Sequence, residues 1–323
     1  MDPGNRRAII AAFIANASIA VLKFVGWGVT GAASLLAEAV HSVADASNQG
    51  LLIWGNNASR RAPTPEHSFG YGRERYFWAF VVSLVIFSLG GLFALSEGLD
   101  KLIHPHTLTQ PAWALGILVT GIVFEGLSLR TAVNAARQKK TESSWWKYIR
   151  NTKNPELPVI LLEDVGALLG LILALVGVGL SAWTGNPRFD ALGSVGIGVL
   201  LMVIAALLAS EMKSLLIGES ANPKNEELIR SAMVAHESVR RLIHLRTQHI
   251  APDKILVGAK IEFDASSSFD RIAEDINAIE ESIREALPFS AMIYIEPAVY
   301  VGETSAPGQG NSDPDPSPTN EAQ

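Results

Sequence analysis

Glu38, His41, Asp45 and Asn48 stand at spacings of three, four and three inside a run that otherwise reads as an apolar helix. Those spacings place all four on one stripe of a helix, with His41 and Asp45 a single turn apart, so the pair can close on one ion. Imidazole with carboxylate suits Zn2+, and with further oxygen donors also Mn2+, Fe2+ or Co2+. An ionisable group at mid-bilayer costs roughly 2.5 to 3.5 kcal/mol, so such groups persist where a transport or relay task needs them. The competing reading is a polar seam joining two helices, in which each bond is worth only about 0.6 kcal/mol. Two acids and a histidine on one face favour the ion site.

A second acidic pair interrupts the later apolar run Leu157-Pro-Val-Ile160-Leu-Leu-Glu163-Asp164-Val-Gly166. Asp164 is the natural partner of His41 and Asp45. Glu163 is its neighbour in sequence and points about 100° away on a helix, so one carboxylate ligates while the other relays protons or bonds a neighbouring helix. Glu125, in the span before, either joins that relay or bonds Ser128 or another helix. Lys23 either pairs an acid or extends toward an interface. His104 and His106 flank Pro105 in a connection, where a histidine is ordinarily solvated. Arg73 and Arg75 suit an anionic headgroup or an ion pair between loop and domain.

These groups need a scaffold, and composition names its class. Of 323 residues 48% are hydrophobic, more than a soluble domain usually carries. There is no cysteine, which excludes a disulfide framework and any thiolate metal site. The net charge is -6, with acid gathered toward the C-terminus and base beside apolar segments, so nothing supports nucleic-acid binding. The first seven residues run directly into an apolar stretch without a small-residue cleavage site, so they are read as retained.

Six segments are long enough to cross a bilayer, at about 8–30, 33–55, 76–99, 112–136, 158–183 and 189–210. Arg6 and Arg7 precede the first; Arg60, Arg61, Arg73 and Arg75 follow the second; Arg137, Lys139, Lys140, Lys147, Arg150 and Lys153 follow the fourth. The opposite connections hold only Lys101 and Arg188 near the membrane, which places both termini in the cytoplasm. The expected division is a six-helix, all-α transmembrane domain over 1–215, a soluble α+β domain over 216–301 and a disordered tail over 302–323. In the soluble part 225–235 reads as helix, 241–250 as a weaker strand, Ile255 to Phe263 as an alternating strand, Ile272 to Leu287 as a helix entered through serines, and Ala291 to Glu296 as a last strand. That order, α-β-β-α-β, is a small ferredoxin-like sandwich with helices on one face of its sheet. His236 and His249 are expected at its surface.

The stretch from Ser34 to Asp45 resembles the second-helix signature of the cation diffusion facilitator family, in which His-x-x-x-Asp supplies two metal ligands. His67 to Arg73 resembles the family's cytoplasmic loop, Asp190 to Ser194 the start of its sixth helix, and Leu215 to Ser220 its exit to the C-terminal domain. Asn48 to Leu52, Leu161 to Asp164 and Thr184 to Pro187 are similar to the zinc transporter nine branch. The resemblance implies a six-helix membrane domain, a homodimer and exchange of a divalent cation for protons. It also marks a departure: the family's fifth-helix histidine falls at Ile160. His41, Asp45 and Asp164 remain, with Glu38, Asn48, Glu163, Glu125 or water as fourth donor. In the soluble domain His244 and Glu296 match positions where relatives carry extra ligands, but Ala259, Lys260 and Tyr294 stand where others have histidines, so dimerisation outweighs metal sensing.

The resulting expectation is a divalent cation:proton antiporter, Zn2+ first, that exports metal from the cytoplasm by alternating access. Ligands must lose protons to bind metal, and that competition is the coupling. The alternatives are an exporter of Mn2+, Fe2+ or Co2+ with the same fold, an intramembrane metalloenzyme, for which no His-Glu-x-x-His motif exists, and a membrane scaffold. The metal is cargo, with no prosthetic group. The expected surroundings are a second copy of the chain and the lipid of a bacterial inner membrane.

Overall fold

A computed structural model describes residues 18–139 and 144–300. Arg6, Arg7, the start of the first span, Lys140 and the tail lie outside the described residues. The order begins with α1 (Ser18–Thr30). There follow α2 (Ala33–Ser59), α3 (Glu74–Val85), a π-helical turn (Ile86–Leu92), α4 (Phe93–Ile103), α5 (Pro111–Lys139), α6 (Trp145–Asn151), α7 (Glu156–Thr184) and α8 (Arg188–Ile217). Glu74–Ile103, Pro111–Asn134, Glu156–Thr184 and Arg188–Ile217 are long and apolar enough to cross a membrane. Helix α2 matches them in length but not in hydropathy, because it carries a polar stripe, and that stripe is turned inward: Glu38, His41 and Asn48 are all buried.

The outer surface of this bundle is apolar. Trp54, Phe87, Leu127, Val176 and Val199 are all well exposed, as they should be against lipid and not against water. Inside, α8 packs on α7, α3 and α4, while α2 packs on α3. Between α7 and α8 the chain reverses at Gly185, whose φ of +68° is open to glycine without strain. Pro187 follows, with φ already suited to the helix it precedes.

The soluble domain consists of α9 (Pro223–Val234), β1 (Val239–Ala251), β2 (Lys254–Phe263), α10 (Phe269–Ala286) and β3 (Ser290–Pro297). β2 is central, antiparallel to β1 and parallel to β3, with α10 as the crossover. Ile255, Val257, Ala259, Ile261 and Phe263 bury the alternate face of β2 against Ile229, Met233, Ile279 and Ile283 of the helices. Ser268 caps α10 by accepting from the Arg271 amide, and Asn222 caps α9 in the same way.

This domain is docked to the bundle. Gly72, in the loop after α2, passes so close to Ile250 and Ala251 that a side chain there would overlap them. Lys153 pairs with Glu219, whose carbonyl accepts the His249 amide at 2.8 Å. The docking corrects one expectation: His249 is 2% exposed, its ring 5.5 Å from that of Phe289. His236 is half-buried, with Nδ1 2.9 Å from the Ser238 hydroxyl.

Candidate transport site

Helix α2 turns four polar side chains into the bundle. His41 Nε2 lies 3.4 Å from Asp45 Oδ2, as a spacing of four requires. Asn48 Nδ2 donates to Glu163 Oε1 of α7 at 2.6 Å. Lys23 Nζ, from α1, donates to Glu38 Oε2 at 3.1 Å and to the Ser42 hydroxyl at 2.8 Å. Gly90, in the π-helical turn, faces His41 Nδ1. Such turns often mark functional positions, and here the small residue leaves the imidazole room.

Seven buried side-chain polar atoms among the described residues have no hydrogen-bond partner, and five belong to this stripe: Glu38 Oε1, both His41 nitrogens, Asp45 Oδ1 and Asn48 Oδ1. Buried polar atoms are ordinarily satisfied, and each exception needs a reason. Every one of these five atoms is of a kind that can coordinate a divalent cation.

The fifth-span carboxylates are placed apart. Glu163 is buried and engages α2 through Asn48, whereas Asp164 accepts at 3.3 Å from Ser128 of α5. Asp164 also lies within electrostatic range of Glu125 and Asp45. So Ser128 bonds Asp164 and not Glu125, and the two adjacent carboxylates address different helices, Glu163 α2 and Asp164 α5, as the 100° offset requires. Ile160 is 37% exposed. Among the described residues no three histidine, aspartate or glutamate side chains lie together as a ready metal-binding group. In this conformation the structure joins His41 to Asp45 but does not bring Asp164 onto them.

The softer candidates resolve in several ways. His104 is solvated, with Nδ1 3.1 Å from Asp100, and His106 is exposed. Arg75 pairs with Glu156 at the start of α7, at 2.9 Å, which is contact within the bundle. His244 and Glu296 line one shallow groove on the open sheet face, but Lys260 stands between them in the ladder and its Nζ is 2.9 Å from Glu296. An ammonium at that point opposes a second metal.

Two features escaped the sequence. Lys101, read as a flanking cation, is fully buried and donates to Asp190 Oδ2 at 2.7 Å and to the Gly31 carbonyl at 2.6 Å. Asp190 also accepts from the Ala33 amide at 2.8 Å, the Ser34 amide at 3.3 Å and the Ser34 hydroxyl. It therefore caps α2 from another helix, a role that no local signal announces. The Tyr76 hydroxyl, buried without a partner at the start of α3, is the other.

A helical membrane bundle with a buried polar stripe, joined to a small sheet domain, is the architecture of the cation efflux family, and the chain belongs to that family. Residues 9–217 match its transmembrane domain and 221–298 its cytoplasmic domain. The family consists of transporters, which sets aside the intramembrane metalloenzyme. Among curated relatives, the mouse "Proton-coupled zinc antiporter SLC30A9, mitochondrial" is 32% identical over 288 residues, 86% of this chain and 51% of that protein. The Arabidopsis thaliana "Metal tolerance protein C4" is 29% identical over 81% of this chain and 58% of its own length. The "Cation-efflux pump FieF" of Klebsiella pneumoniae strain 342 is 27% identical, covering 89% of this chain and 90% of the relative. The chain spans about half the length of the SLC30A9 relatives it matches.

Proposed function

We propose that this protein exports a divalent metal cation, Zn2+ first, from the cytoplasm in exchange for protons, with His41, Asp45 and Asp164 as the ligands that carry the ion. The observation that carries the reading is the unsatisfied stripe of α2: five ligand-type atoms without a hydrogen bond, held in a low-dielectric bundle. Asp164, held by one long bond to Ser128, is the freer of the two fifth-span carboxylates, since Glu163 is engaged by Asn48 at 2.6 Å. Movement of α5 and α7 against α2 is then the step that completes the ligand set, and its reversal on the other side releases the ion. Protons and metal compete for the same atoms, so protonation from the more acidic side expels the cation there. The name of the zinc antiporter relative supports the exchange, and that of the efflux-pump relative supports the direction.

Two copies joined through their C-terminal domains are the proposed assembly, supported by the match to the family's cytoplasmic domain and by the open sheet face carrying Tyr294, Leu256 and Met292. The proposed domain limits are 1–215 and 216–301, and the proposed location is a bacterial inner membrane with both termini inside. A second reading, Mn2+, Fe2+ or Co2+ as cargo, is favoured by Ile160, because loss of an imidazole leaves a set richer in oxygen. The test is metal uptake into proteoliposomes under an imposed pH gradient, for Zn2+ and Mn2+, with wild type and His41→Ala. Flux that follows the gradient and vanishes in the variant is expected. Flux indifferent to the gradient overturns the exchange, and undiminished flux in His41→Ala overturns the site.

A further inference from the structure

We infer that Lys23 is a resident counter-cation that withdraws Glu38 from the donors of the transported ion and so sets which divalent metal the site prefers. The inference rests on the reading of the α2 stripe as the transport site. Lys23 of α1 and Glu38 of α2 are 1% and 0% exposed. Nζ is fixed at two points, Glu38 Oε2 at 3.1 Å and the Ser42 hydroxyl at 2.8 Å, and that hydroxyl in turn donates to the Glu38 carbonyl at 3.0 Å. The ammonium is thus held against the turn of α2, Glu38 to Ser42, that carries His41. On the other side Glu38 Oε1, without a partner, stands against Gly170 of α7, where a Cβ would overlap it. The carboxylate is confined between a lysine and a helix backbone.

A pair needed only to hold α1 to α2 would be replaceable by apolar side chains, often without loss of stability. Its position gives it another consequence. Glu38 lies three residues before His41 on the same stripe, so without Lys23 it would be a buried, uncompensated carboxylate one turn from the imidazole. Such a group recruits a cation, and as a hard oxygen donor it favours Mn2+ over Zn2+. With Lys23 present, that charge is cancelled, and Glu38 no longer adds a hard oxygen donor to His41, Asp45 and Asp164.

The test compares wild type, Lys23→Met, the neutral pair Lys23→Met with Glu38→Gln, and His41→Ala, using full-length protein in nanodiscs and calorimetric titration with ZnCl2 and with MnCl2. Lys23→Met is expected to shift the ratio of the two dissociation constants toward Mn2+ by about tenfold, the scale on which groups around a metal site act. The neutral pair is expected to return the ratio to that of wild type. An unchanged ratio in Lys23→Met, with only a lower melting temperature, would make the pair structural and overturn the inference. Should Lys23→Met not yield monodisperse protein, Lys23→Gln takes its place under the same criteria, and loss of binding in the neutral pair makes Glu38 a donor and refutes the inference. Retained binding in His41→Ala would instead sink the reading of the stripe as the site.

Discussion

Lys101 Nζ lies 2.7 Å from Asp190 Oδ2, and neither side chain has any exposure. The same carboxylate accepts the first amides of α2, so one buried ion pair ties α4 and α8 to the helix that carries His41 and Asp45. The positive end of α2 and the lysine share one anion. Asp190→Asn leaves the ammonium buried without a counter-charge, and the expected loss is about 3 to 5 kcal/mol. Lys101→Met combined with Asp190→Asn should recover much of it. Thermal unfolding of the detergent-purified protein measures both, and an Asp190→Asn variant melting with wild type would show that the pair does not hold α2.

The two fifth-span carboxylates should separate in a binding experiment. Glu163 is bonded to Asn48, so Glu163→Gln should weaken Zn2+ binding by about tenfold, as loss of an outer partner does. Asp164→Asn should reduce it well beyond that. Calorimetric titration gives the order, and the reverse order would assign Glu163 as the ligand.

Close approach of α4 and α8 predicts a contrast between two glycines. A Cβ on Gly198 would come within 2.6 Å of the Leu95 nitrogen and 2.8 Å of the Gly91 carbonyl oxygen, backbone atoms that cannot rotate away. Gly198→Ala should therefore destabilise by about 1 to 3 kcal/mol. At Gly50 nothing lies within 4 Å of an added Cβ, so Gly50→Ala should gain about 0.5 to 1 kcal/mol from helix propensity. Melting temperatures moving in the same direction would refute the packing argument.

Burial holds the His249 imidazole below the usual histidine range, against the opposing bond to the Ala251 carbonyl at 3.4 Å and with Lys153 and Glu219 nearby. A histidine that resists protonation when folded makes the unfolded state the better proton acceptor. Stability is then full above about pH 6.5, the unfolded value, and falls as pH drops toward the lower folded value. Amides of β1 and β2 should lose protection from hydrogen exchange between about pH 7.5 and about pH 5, and His249→Phe should flatten that dependence. An equal loss in the variant would place the sensitive group elsewhere.

The fold of the soluble domain was readable because its signals are local. Alternation in Ile255 to Phe263, the periodic isoleucines of α10 and the serine cap each act over a few residues, and all three recur in the structure. The burial of His249 was not readable, since its ring meets that of Phe289 and its amide the Glu219 carbonyl, both distant in sequence. For the same reason Lys101 looked like a flanking cation: a lysine at a helix end resembles every other until its distant carboxylate is known.

Composition and spacing by themselves settled that this is a membrane bundle with a polar stripe at 38, 41, 45 and 48 on one helix, because helical periodicity is a property of the chain alone. Only the tertiary structure decided that Lys23 holds Glu38, that Glu163 and not Asp164 meets α2 in this conformation, and that Asp190 caps α2. Each of those depends on how one helix is rotated about its axis against another. Spacing within a helix says which residues share a face, but the packing of separate helices determines what that face meets.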